Sequence, residues 1–99
     1  MFGILLTVTA QAELERLELL PDKKGLVKQI KKSLGYLAVD PKHPSLKTHV
    51  YDSIAHPYDP KGKVFEAYVQ NNTPSAYRVF WCYGPDKRQI TLVAITTHP

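Results

Sequence analysis

Cysteine is nearly absent from this 99-residue chain: Cys82 stands alone, which excludes an intramolecular disulfide framework and a cysteine-rich zinc site. Packing alone must hold the fold, as suits a reducing compartment. Long apolar runs are missing too. The opening stretch Phe2-Gly3-Ile4-Leu5-Leu6 falls far short of the ~18 residues a membrane helix needs. It also lacks the basic start and small-residue cleavage site of a signal peptide. The expectation is a cytoplasmic protein with no membrane segment. There is no glycine-rich phosphate loop, no GxSxG and no HExxH. What remains is ordinary in bulk, with 43% hydrophobic and 22% charged residues. The length fits one domain over residues 1–99.

The apolar pattern divides the chain. Residues 2–8 read as a short strand, and Thr9 offers a cap for a helix beginning at Ala10. Ala10, Leu14 and Leu17 share one helical face, and Pro21 ends the run. Asp22 can cap a second helix, roughly 23–38, whose stripe is Val27, Ile30, Leu34 and Leu37. Residues 40–63 carry Pro41, Pro44, Pro57 and Pro60 and read as irregular, with Leu46, Val50, Tyr51 and Ile54 as its anchors. Three strand patterns follow: Val64–Gln70, Tyr77–Tyr83 and Gln89–Thr97. Tyr77–Tyr83 is apolar on both faces apart from Arg78, so it is expected at the sheet centre. The predicted fold is α+β, a two-helix hairpin on one face of a mainly antiparallel four-stranded sheet in the order β-α-α-β-β-β.

Charge is uneven. Residues 1–22 hold one basic and four acidic groups, 23–47 seven and one, and 48–99 five and four. The whole net charge of +4 therefore arises on the second helix and the loop behind it. A solvated lysine face explains this, and so does a stripe that meets phosphates.

Arg78 is sharper, because a charge inside a central strand needs a partner or an anionic ligand. Strand alternation puts Phe65, Ala67, Val69, Val79, Trp81, Val93 and Ile95 toward the helices. Glu66, Tyr68, Arg78 and His98 then converge on the opposite face, as a carboxylate, an aromatic ring, a cation and an imidazole. Such a set can perform acid–base chemistry at a phosphate. An echo, His49-Val50-Tyr51-Asp52 and His56-Pro57-Tyr58-Asp59, invites a metal reading. It has neither cysteine nor helical HxxxH support, and tyrosines anchoring a loop account for it better. No metal or cofactor is expected, and Cys82 reads as a small buried hydrophobe.

The segments Val64-Phe65-Glu66-Ala67-Tyr68-Val69, Ala76-Tyr77-Arg78-Val79-Phe80-Trp81 and Ile90-Thr91-Leu92-Val93-Ala94-Ile95, with His98 after them, resemble the RelE/ParE superfamily of bacterial toxins. The element order agrees over nearly the whole chain. The resemblance implies a toxin of a type II toxin–antitoxin system that cuts mRNA on the ribosome and is held by a cognate antitoxin. It implies that Arg78 stabilises charge on the scissile phosphate, that His98 protonates the leaving oxygen and that Glu66 accepts the 2′-hydroxyl proton. Tyr68, Lys47, Lys61 and Lys63 would bind RNA. Pro99 stands where YoeB-like members end in tyrosine. That departure keeps two alternatives open: a ParE-like inhibitor of DNA gyrase, and a non-catalytic antitoxin-binding module.

Overall fold

A computed structural model describes residues 1–70 and 75–97. The first strand, β1 (Gly3–Leu6), passes directly into helix α1 (Val8–Glu18). The cap is Thr7 rather than Thr9: its hydroxyl oxygen accepts the Ala10 N–H at 3.1 Å and its O–H donates to the Val93 carbonyl at 2.8 Å. One threonine thus starts the helix and ties it to the last strand. A 3-10 turn, Pro21–Lys23, leads into α2 (Lys24–Val39), so Asp22 lies inside the turn and is not the cap. Proline suits the opening of such a turn, where its missing N–H has no partner to lose. In α2 the buried positions are Leu26, Ile30, Ser33 and Leu37, while Val27 and Leu34 flank them, partly buried.

Among the described residues the sheet has five strands, where four were expected. Within the stretch expected to be irregular, His49–Val50 form β2, paired antiparallel with β3 (Phe65–Tyr68). Two exposed residues make too short a run to carry an alternation signal. The spatial order is β1-β5-β4-β3-β2, with β4 (Tyr77–Tyr83) in the middle and β5 (Gln89–Thr97) beside it. Among the described residues only the β1–β5 pairing is parallel.

Both helices pack on one face, over Ala67, Val79, Trp81, Ile90, Leu92 and Ile95. The register breaks between Phe80 and Trp81, which pair with Ala94 and Leu92, so Val93 is an extra residue in the ladder. That bulge turns Val93 with Ala94 to the face away from the helices, correcting the expected inward Val93, while Ile95 points to the helices as expected. The second face is not bare. Val64, Phe80 and Cys82 are buried there beneath Tyr51 and Ile54. Leu46 anchors the same long segment on the helix side, whereas Val50 is exposed. No helix among the described residues is long and apolar enough to cross a membrane.

Candidate functional site

At the β2 end of the sheet, on the face away from the helices, three strands bring four chemically active side chains together. Register does the placing. His49 of β2 stands opposite Glu66 of β3, and Tyr68 of β3 stands opposite Arg78 of β4. Direct cross-strand neighbours lie ~4.5–5.5 Å apart at Cβ, close enough for their side chains to touch.

Glu66 is fully buried. Its Oε1 accepts the His49 Nε2–H at 2.6 Å, and its Oε2 lies 4.0 Å from Arg78 Nε. A buried carboxylate needs such partners, since an isolated buried charge is strongly disfavoured. The Arg78 side chain is itself only 10% exposed. Its Nη1 donates to the carbonyl oxygens of Gln70 at 2.8 Å and Tyr77 at 3.1 Å. Its guanidinium carbon sits 3.8 Å from the centre of the Tyr68 ring, a cation–π stack. The Nε–H has no hydrogen-bond acceptor among the described residues. The guanidinium is therefore fixed in direction by its Nη1 bonds and the Tyr68 stack.

His49 is the accessible member, with 48% of its side chain exposed. Its other ring nitrogen, Nδ1, faces the Lys47 carbonyl oxygen at 3.3 Å. Both nitrogens thus face oxygens that only accept. Lys47, in a left-handed conformation at φ 48°, sends its Nζ to 5.5 Å from the Tyr68 ring centre.

Of the residues singled out in the sequence, Glu66, Tyr68, Arg78 and Lys47 meet here. Lys61 and Lys63 are exposed on the loop before β3 and make no contact with the cluster among the described residues. His98 lies outside the described residues. The Arg78 head, expected on an open face, is mostly covered by the Tyr68 ring, with 10% of its side chain still exposed. His49 was missed as a member of the cluster. Its signal was present in the echo around residues 49–59, but it became specific only once β2 paired with β3. Among the described residues no group of three His, Cys, Asp or Glu side chains is placed to hold a metal ion.

The chain shares its fold with solved structures of YoeB/ParE and RelE proteins. It superposes on a YoeB/ParE toxin from Agrobacterium tumefaciens with a TM-score of 0.71 at 11% identity, covering 100% of both chains. A chain of the archaeal RelE–RelB complex from Pyrococcus horikoshii OT3 gives 0.66 at 11% identity over 97% of this chain and 93% of the other. The YoeB dimer of Staphylococcus aureus gives 0.65 at 15% identity, over 99% and 98%. No family model and no curated protein matches the sequence. The likeness resides in the fold.

Proposed function

We propose that this protein is the toxin of a type II toxin–antitoxin pair, acting as an endoribonuclease on ribosome-bound mRNA in the cytoplasm. The carrying observation is the half-exposed His49, held by a sealed Glu66 next to a stacked, directed Arg78, within a toxin fold. In the proposed reaction the RNA 2′-oxygen attacks the adjacent phosphorus and the bond from phosphorus to the 5′-oxygen breaks. The products are a 2′,3′-cyclic phosphate and a free 5′-hydroxyl. Arg78 would meet the negative charge that grows on the phosphoryl oxygens. His49 would protonate the leaving 5′-oxygen from Nδ1, the nitrogen with the longer and weaker contact. Glu66 has no exposed surface, so its part is to hold the imidazolium rather than to touch substrate. As the 2′-oxygen attacks, its proton passes to solvent.

Tyr68 and Lys47 would bind the RNA at the site, and Lys61 and Lys63 would hold phosphates further along it. A cognate antitoxin is proposed to cover this basic surface with an acidic segment. The test is cleavage of mRNA on purified ribosomes by the wild type and by His49→Gln. The variant should fold normally and lose ~10²–10⁴ in rate, the usual scale for a general acid. Undiminished cleavage removes His49 from the mechanism. Absence of cleavage by the wild type, with DNA supercoiling inhibited instead, replaces the nuclease by the gyrase-inhibitor reading.

A further inference from the structure

Just past the C-terminal end of α2, a cleft of about 490 Å³ opens between the segment 41–48 and the sheet. Its sheet wall is aromatic. Phe65 and Trp81 are cross-strand partners with ring centres 4.7 Å apart, and Tyr83 stands edge-on to Trp81 at 5.0 Å. The facing segment contributes Lys42, His43 and Lys47. His43 is itself stacked on Tyr36, with ring centres 4.1 Å apart, and Lys32 approaches the same tyrosine.

The cleft adjoins the catalytic face. Thr48 lines it, while the next residue, His49, binds Glu66 on the other side of the sheet. A strand of only two residues, β2, forms the edge between them. Lys47 reaches both places, lining the cleft and lying over the Tyr68 ring. An RNA strand turning around this edge would present a phosphate to Arg78 and a neighbouring base to the aromatic wall. Aromatic surfaces edged by lysines are the recognition chemistry of single-stranded nucleic acid. The size is that of a small-ligand pocket.

We propose that this cleft is a nucleobase subsite, in which a base next to the scissile phosphate stacks on Phe65 and Tyr83, beside the buried Trp81 ring. The inference rests on the nuclease reading for the position of the scissile phosphate. It adds a source of base preference, set by the shape of the cleft and by the Lys42, His43 and Lys47 side chains that line it.

Trp81 is the chain's one tryptophan, so its fluorescence reports occupancy of the cleft directly. The full-length protein is titrated with a 5′-labelled, 2′-O-methylated single-stranded heptanucleotide, which binds but cannot undergo 2′-hydroxyl attack. Label anisotropy reads total binding. The expected result is a saturable Trp81 quench that disappears when one position of the RNA is made abasic, with anisotropy still rising. Tyr83→Leu should weaken the quench-derived affinity about tenfold or more, the scale of one lost base stack. Binding by anisotropy without a quench, a quench indifferent to every abasic position, or no RNA binding overturns the subsite. A quench by an acidic Glu/Leu octapeptide and not by RNA also overturns it, making the cleft a protein-docking site. Cleavage of ribosome-bound mRNA by the same preparations separates the two readings. Intact cleavage with no base-dependent quench removes the subsite alone. A base-dependent quench without any cleavage removes the nuclease and leaves the RNA subsite standing.

Discussion

Arg78 and Glu66 are neighbours that each would be costly to bury alone, and their shared fate is the first thing to test. Replacing Arg78 by alanine removes one of the Glu66 carboxylate's cationic neighbours and the stack on Tyr68. Breaking a buried pair in this way costs ~3–5 kcal/mol, an upper figure here because the separation is 4.0 Å and His49 remains on the same carboxylate. Thermal unfolding should therefore shift down clearly for Arg78→Ala and less for Arg78→Lys, which keeps the charge but loses the planar stack. Equal melting temperatures for wild type and Arg78→Ala would mean that the pair contributes no stability. Cys82 offers a second residue-scale test. Burial pushes its thiol pKa up to about 11. The folded state holds the neutral thiol, so this contribution to stability is complete below the unfolded value of ~8.5 and is lost as pH rises toward the folded one. At pH 8.5 a disulfide reagent should label the native protein far more slowly than the urea-unfolded chain. Labelling within mixing time would show that the second face of the sheet is open to solvent.

At the scale of elements, the long segment before β3 decides what the second face of the sheet looks like. His56 organises its turn. Nδ1 accepts the N–H groups of Tyr58 and Asp59, both at 3.1 Å, and Nε2–H donates to the Tyr83 carbonyl oxygen at 3.1 Å. Gly62 lies so close that a β-carbon there would collide with the imidazole ring. Gly62→Ala should therefore displace a pinned ring and destabilise the protein by ~1–3 kcal/mol, read by denaturant unfolding. A midpoint equal to wild type would show that His56 moves freely. This segment was also the least legible part of the sequence. Its prolines announced irregular backbone, yet β2 is a pairing of two exposed residues, recognisable only from its partner. By contrast β4 and β5 have the limits read from the sequence, since seven and nine residues rich in aromatic and β-branched side chains carry a clear pattern. The face assignment held for Glu66, Tyr68 and Arg78, where the ladder is regular, and failed at Val93, where the bulge breaks the period of two. His49 was hidden for the same reason as β2.

For the molecule as a whole, position and charge have to be read together. The helices occupy one face of the sheet, and the Glu66–His49–Arg78 cluster sits at one end of the other. Lys24, Lys28, Lys31 and Lys32 lie along α2, and Lys31 pairs with Glu18 at 3.2 Å across the helix hairpin. Exposed pairs of this kind add little stability, so most of this charge remains available to a polyanion. RNA binding should weaken steeply with salt, and replacing Lys61 and Lys63 together by alanine should flatten that slope without changing the chemistry of the cut. An unchanged salt slope would place the RNA elsewhere on the surface.

The central claim is that His49 delivers a proton to the leaving oxygen while Glu66 holds it. Its most direct measurement is the rate of cleavage of ribosome-bound mRNA, with product ends identified, for wild type, His49→Gln and Glu66→Gln. The account predicts 2′,3′-cyclic phosphate ends for the wild type, a rate lowered ~10²–10⁴-fold in His49→Gln and a smaller loss in Glu66→Gln, where the amide can still hold the imidazole. Cleavage by His49→Gln at the wild-type rate would contradict it.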